Sequence, residues 1–143
     1  MKQKIEPLNE DEKAWIGENL EAARSILAAY TKNSMGPFQP EGLNEALSAW
    51  SNRVATDRVD RNTLVNALGI AFGQLLAERL GLAWAVVTDE HGVDMAVHGM
   101  PGDILVFPTA AVAKRVANDD SRFFVDLYAQ VSRDIGRVRS QVH

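Results

Sequence analysis

The fold is decided by residues 61–88, which read RNTLVNALGIAFGQLLAERLGLAWAVVT. Apolar residues recur through its first twenty positions at the three- and four-residue spacings of one helix face. These residues are Leu64, Leu68, Ala71, Phe72, Leu75, Leu76 and Leu80. Val65, Gly69 and Gly73 widen the face, so the sequence predicts a central helix over Arg61–Leu80.

Both ends of this helix carry the expected signals. Asp60 is predicted as the N-cap, because its carboxylate can accept hydrogen bonds from first-turn amides that lack a helical partner. Gly81 suits the left-handed position after the last turn, with Leu82 folded back onto the helix. Leu82–Thr88 is short, continuously apolar and rich in β-branched residues, which is typical of a buried strand.

Two more helices are predicted before this region. Asn9 and Glu12 have the spacing of a capping box, and the helix they begin should end near Lys32. Residues 33–40 contain two prolines and a glycine and are predicted as a loop. A shorter second helix follows, with an apolar stripe of Leu43, Ala46, Leu47 and Trp50.

A β-hairpin is predicted after the central helix. Residues 89–92 read DEHG, which is turn chemistry. In the next strand Val93, Met95 and Val97 alternate with Asp94, Ala96 and His98, so we expect one covered and one exposed face. A second turn, a third strand over Ile104–Phe107, a helix over Pro108–Ala117 and a final amphipathic helix complete the chain.

The predicted order is three helices, a three-stranded antiparallel meander and two helices (ααα-βββ-αα), an α+β fold with helices on one face of the sheet. A length of 143 residues favours a single domain. Residues 1–40 would supply a helix and loop, and residues 41–143 the remaining core.

The amino-acid composition excludes several classes of functional site and binding partner. The chain has no cysteine, which excludes disulfides, thiol catalysis and zinc–thiolate sites. The net charge is −4, which argues against affinity for nucleic acids. No apolar segment resembles a secretory signal or reaches the length of a membrane span. We therefore expect a soluble cytoplasmic protein that binds neither membranes nor nucleic acids.

No catalytic motif is present. Gly-x-Ser-x-Gly, Walker A and Gly-x-Gly-x-x-Gly are all absent, so the sequence predicts no catalytic residue and no cofactor. Asp89, His91, Asp94 and His98 lie within ten residues and are ligand types for zinc, iron or manganese. A metal requires ligands that converge to about 2 Å, which one hairpin seldom provides. Polar turn residues are the favoured interpretation, and no metal site is predicted.

Other conspicuous residues have simple structural explanations. Gly69 and Gly73 would allow a strand or another helix to approach closely. Trp15, Trp50 and Trp84 occupy apolar-periodic positions and are core residues by default. Basic residues crowd the last two helices, where they can offset helix dipoles or form a site for an anion or acidic partner. They are Lys114, Arg115, Arg133, Arg137 and Arg139.

Several short motifs together resemble a bacterial domain family of unknown function. They are Leu68-Gly69-x-x-x-Gly73, Gly81-Leu82-x-Trp84, Asp89-x-x-Gly92 and Phe107-Pro108-x-x-x-Val112-x-Lys114-Arg115. The resemblance runs from about Trp50 to the last helix. It implies a compact, soluble α+β domain without transferable catalytic residues. It also implies a shared framework of Trp84, Asp89, Gly92, Pro108, Lys114 and Arg115.

Taken together, these patterns favour a non-enzymatic bacterial domain that binds a protein or a ligand, with self-association as a homodimer also open. The predicted interaction site is the sheet face or edge that bears Asp94 and His98, or the helix that bears Lys114 and Arg115. Trp84 and Asp89 are further candidates. The alternatives are a metal-binding or hydrolytic enzyme that uses the hairpin over residues 89–98, and an immunity- or chaperone-type partner of another protein.

Overall fold

The computed structural model describes residues 3–32 and 35–141. These residues form five α-helices and four β-strands. The strands are β1 (Lys4–Glu6), β2 (Ala83–Asp89), β3 (Gly92–Gly99) and β4 (Ile104–Val106). The helices are α1 (Glu10–Tyr30), α2 (Pro40–Ser51), α3 (Arg61–Leu80), α4 (Pro108–Ala117) and α5 (Phe124–Ser140), and a 3-10 turn (Ala55–Asp57) lies between α2 and α3.

The predicted α+β class is confirmed, but the predicted three-stranded sheet is wrong. The sheet has four antiparallel strands in the order β1-β2-β3-β4, so a strand precedes the first helix. β1 contains only Lys4, Ile5 and Glu6, which is too short to show a periodicity. It is a strand because Ile5 pairs with Val87 in the middle of β2, and a sequence pattern cannot reveal such a distant partner.

The central helix has the predicted bounds. The Asp60 carboxylate accepts hydrogen bonds from the Thr63 amide at 3.1 Å and the Thr63 hydroxyl at 2.7 Å. Gly81 has a φ of +66°, and the amides of Gly81 and Leu82 both donate to the Ala77 carbonyl. The middle of α3 is buried on all sides, as expected for a helix that other elements surround.

Gly69 and Gly73 are the points at which α3 meets its neighbours most closely. A Cβ atom at Gly69 would lie 2.7 Å from the Cα of Thr109. One at Gly73 would lie 2.3 Å from Cη2 of Trp84 and 2.8 Å from Cγ of Pro108. The predicted packing role of these glycines is confirmed, since α4 and the Trp84 ring occupy the space that side chains would need.

The predicted alternation of covered and exposed residues in β3 is wrong. Ala96 and Val97 point to opposite faces of the sheet, yet both are fully buried, whereas Val93 is 68% exposed. Burial therefore changes along β3 rather than across it. The Gly99 end is buried, and the hairpin end is exposed.

The remaining boundaries differ little from the predictions. α1 ends at Tyr30, slightly before the expected Lys32, and β4 ends at Val106 because Phe107 is the N-cap of α4. In the predicted loop, residues 35–39 contain neither helix nor strand, while Asn33 and Ser34 lie outside the described residues. None of the helices within the described ranges combines the length and apolarity that crossing a membrane requires.

Substituting Gly73 by alanine should destabilise the fold by about 1–3 kcal/mol, because the new methyl group overlaps the Trp84 ring. Urea denaturation measures this change. Gly17→Ala is the matched control, since Gly17 lies in α1 and a Cβ atom there would enter open space. That variant should be stabilised by about 0.5–1 kcal/mol. Equal effects of the two substitutions would contradict the close packing at Gly73.

The Asp60 cap predicts a pH-dependent contribution to stability. The Thr63 hydroxyl and amide lower the pKa of the Asp60 carboxyl from its ordinary value. The ionised Asp60 carboxylate therefore stabilises the folded state fully above the unfolded-state pKa of about 3.9. This stabilisation is lost as the pH falls through the lower folded-state pKa. Asp60→Ala should lower the Tm at pH 7, and the difference should shrink below about pH 4. Asp60→Asn retains a cap that does not titrate, so its Tm should stay close to wild type at pH 7.

Candidate functional site

A concave surface lies between the first turn of α1, the sheet and the beginnings of α3 and α4. It has a volume of about 460 Å³, and we call it the α1–β3 cleft. It is lined by Asn9, Asp11, Glu12, Trp15, Asn66, Val86, Val93, Asp94, Met95 and Thr109. Its walls therefore combine an aromatic ring and aliphatic side chains with carboxylates.

The α1 wall is positioned by the capping box. The Asn9 amide donates to Oε1 of Glu12 at 2.7 Å, and the Glu12 amide donates to Oδ1 of Asn9 at 2.8 Å. This reciprocal pair fixes where α1 begins. Trp15 follows Asp11 by four positions and Glu12 by three, so the three side chains lie on one helix face toward the sheet.

The opposite wall is the hairpin of β2 and β3. Val86 and Met95 are cross-strand partners, and Thr88 pairs with Val93 nearer the turn. Residues two apart in a strand point to the same face, so Val86, Met95 and Val93 form a continuous apolar surface. This surface faces Trp15 across the cleft.

The cleft is electrostatically negative. Among the described residues, the lining includes the acidic residues Asp11, Glu12 and Asp94 and no lysine or arginine. A concave surface with one sign of charge attracts groups of the opposite charge. A tryptophan face also binds cations through its quadrupole. The cleft is therefore suited to a positively charged group with an apolar portion.

A second, smaller concavity lies on the other face of β3, beside the hairpin turn. Its volume is about 250 Å³, and we call it the turn cleft. It is lined by Val87, Asp89, His91, Gly92, Val93, Asp94 and Phe107. Val93 and Asp94 line both clefts, so the two concavities flank the same segment of β3.

The structure brings Asp94 and Asp89 to these clefts but separates them from His98. Asp89 accepts a hydrogen bond from the His91 amide at 2.8 Å, which stabilises the turn. His98 lies four residues beyond Asp94, about 13 Å along the strand. Its Nε2 lies 2.9 Å from Oδ1 of Asp103, so it pairs within the following turn.

This separation bears on whether the hairpin residues could share a metal ion. Within the two described ranges, no three His, Asp or Glu side chains are placed to hold one ion. The geometry therefore gives no support to the alternative of a metal-dependent enzyme on residues 89–98.

The remaining predicted site residues lie away from both clefts. Trp84 packs against Gly73, and its Nε1 donates to Oε1 of Gln74 at 3.0 Å. Arg115, in the last turn of α4, lies 3.9 Å from Asp120, and its neighbour Lys114 is exposed. Binding roles for these residues stay predictions.

Arg139 interacts with the carboxyl end of a different helix from its own. Its guanidinium donates to the Leu80 carbonyl at 2.5 Å and to the Gly81 carbonyl at 3.4 Å. A cation thus caps the carboxyl end of α3, although it belongs to α5.

Sequence reasoning missed the aromatic part of the site. Trp15 was predicted as a core residue, but it is half-buried and faces the cleft. The signal was its position beside the apolar stripe of α1 rather than within it, together with the adjacent acidic turn. Met95 was missed because an apolar residue in an alternating strand is normally a core residue.

The family described as a domain of unknown function (DUF3806) matches residues 45–128. The chain belongs to this family. The predicted resemblance is thereby confirmed. The matched region contains the hairpin wall of the α1–β3 cleft, while β1 and α1, including Trp15, precede it.

A solved structure supports the same fold. The chain is similar to a protein of Bacteroides thetaiotaomicron VPI-5482 whose crystal structure was determined at 1.50 Å resolution, with a TM-score of 0.72 and 14% sequence identity. The similarity covers 90% of this chain and 47% of that one, so the present chain spans about half the length of that protein. No curated protein matches the sequence.

The hairpin geometry predicts that the untagged protein binds no stoichiometric zinc. Elemental analysis after incubation with zinc and gel filtration measures the metal content. Asp94→Asn and His98→Asn are expected to leave the residual metal content unchanged, because the two side chains are too far apart to share an ion. One zinc per chain that both substitutions remove would contradict this geometry.

Proposed function

We propose that this protein is a non-enzymatic binding domain whose α1–β3 cleft receives a positively charged, partly apolar group of a ligand or protein partner. The supporting observation is that Trp15 and the apolar surface of Val86 and Met95 line one cleft, whose other described lining residues include Asp11, Glu12 and Asp94 but no lysine or arginine. Its volume of about 460 Å³ falls within the range of small-molecule and side-chain sites.

The lining residues favour binding over catalysis. General acid–base or nucleophilic chemistry requires a base within hydrogen-bond reach of a nucleophile and a third group that orients it. The Glu12 carboxylate accepts from the Asn9 amide, and the Asp94 carboxylate accepts from the Met95 amide at 2.8 Å. Of the residues that the structure describes, no serine, histidine or lysine lines this cleft. Two of its carboxylates are thus held by backbone amides.

A single cationic group should bind only weakly. A cation over an exposed aromatic ring contributes about 0.5–1 kcal/mol. A hydrogen bond to a charged group contributes about 1.5–3 kcal/mol. Their sum is about 2–4 kcal/mol, which corresponds to a Kd between about 1 and 30 mM. Tighter binding requires contacts outside the cleft.

We also infer a cytoplasmic location in a bacterium. The absence of cysteine is compatible with a reducing compartment. The resemblance described above is what supports a bacterial origin.

Nα-acetyl-arginine methylamide tests the cleft as a cation site. In ¹H–¹⁵N NMR titrations, millimolar probe should shift the Trp15 indole and the amides of Val93–Met95. Trp15→Leu keeps an apolar side chain but removes the aromatic face, and it should weaken binding about threefold. The norvaline analogue of the probe, which lacks the guanidinium, is the control and should cause no comparable shifts. Shifts confined to other surfaces, or equal shifts with both probes, would refute the proposed site.

A further inference from the structure

The outer edge of β3 is only partly covered. β4 pairs with Val97, His98 and Gly99 and then ends at Val106. Within the described part of the chain, no strand pairs with residues 92–96 of β3 on this side. Val93, in this segment, is 68% exposed.

The backbone groups of Val93 and Met95 point outward from this edge. Asp89 and Gly92 pair across a two-residue turn, and such a closing pair exchanges both hydrogen bonds. Because hydrogen-bonded and non-hydrogen-bonded pairs alternate in an antiparallel ladder, the N–H and C=O groups of Val93 and Met95 face away from β2. The Met95 amide donates to Oδ1 of its neighbour Asp94 at 2.8 Å, which is a local bond on the open side.

The two clefts have the arrangement that an added strand requires. Side chains of a strand point alternately to opposite faces of the sheet. Here the α1–β3 cleft lies on the helix-covered face, and the turn cleft lies on the opposite face of the same segment. An extended peptide along Val93–Ala96 would place successive side chains in the two clefts, as in β-strand addition.

We propose that an extended, arginine- or lysine-containing segment of a partner protein adds to the sheet along Val93–Ala96 of β3. This proposal rests on the proposed function and names its partner class. The acidic lining of the two clefts indicates that the partner segment is positively charged. Asp11, Glu12, Asp89 and Asp94 line the two clefts, and no lysine or arginine within residues 3–32 and 35–141 lines either of them.

The same charges disfavour a second copy of this chain as the occupant. Pairing two β3 edges would bring Asp94 of each copy to one interface, with the acidic turn at residues 89–90 beside it. Like charges on adjacent strands destabilise the pairing. A basic segment instead neutralises the edge while it pairs with the Val93 and Met95 backbone groups, and the Met95 amide exchanges its bond to Asp94 for one to the segment.

The test uses the acetylated and amidated peptide Arg-Val-Arg-Val-Arg-Val-Arg with the full chain. Calorimetry should give micromolar affinity, and hydrogen exchange should slow at the Val93 and Met95 amides. Replacing the arginines by glutamate should abolish binding. Methylating alternate backbone nitrogens on the paired edge should weaken binding at least about tenfold, because it removes hydrogen bonds to β3 without changing side chains.

Variants of the protein provide the matched comparison. Val93→Pro removes an outward N–H group and should weaken binding about tenfold. Val54→Pro is its control, since Val54 is 71% exposed, has a φ of −64° and lies in a loop before α3.

Asp94→Lys should weaken binding about tenfold, whereas Asp57→Lys on the same loop as Val54 should not. Circular dichroism establishes that each variant is folded, and the methylated peptide tests the edge even where Val93→Pro does not fold.

The outcomes separate the two proposals. Binding that requires arginine and Trp15 but tolerates backbone methylation would overturn strand addition and leave the cleft intact. Peptide binding that causes no change at Trp15 or Val93–Met95 would overturn both proposals. Sedimentation that shows a dimer with slowed exchange at Met95 in the absence of peptide would overturn the basic-segment proposal in favour of a second copy.

Discussion

The close packing of α3 against α4 and Trp84 constrains the rest of the structure. Gly69 and Gly73 leave the α3 backbone bare at two successive turns, and Thr109, Pro108 and the Trp84 ring fill that space. Because Pro108 and Thr109 begin α4, this contact also determines where the chain leaves the sheet. β4 ends at Val106, and within the described ranges no strand pairs with the hairpin half of β3 on its outer side.

The α1–β3 cleft also depends on where α1 begins relative to the hairpin. The short strand β1 pairs with the middle of β2, and the capping box of Asn9 and Glu12 then begins α1 beside the hairpin. Trp15 thereby reaches the surface of Val86 and Met95. The hairpin wall lies within the family match over residues 45–128, whereas the α1 wall precedes it. The chemical character of the cleft is therefore a joint property of these two parts of the chain.

Local signals in the sequence are sufficient to predict most of the helices and strands. Asp60 and Gly81 gave the bounds of α3, since capping depends on residues next to the helix ends. β1 and the burial gradient of β3 could not be predicted, because each depends on distant partners: Val87 makes Ile5 part of a strand, and the end of β4 leaves Val93 exposed. The cleft was missed for the same reason. Trp15 and Met95 are far apart in the chain, and both have side chains that a pattern assigns to the core.

A crystal structure of the chain with the arginine–valine peptide would test the central proposal most directly. The peptide should lie beside β3 as an additional strand, with backbone hydrogen bonds to Val93 and Met95 and an arginine over Trp15. A peptide bound elsewhere on the molecule, or one that reaches the cleft without pairing to β3, would contradict strand addition at this edge.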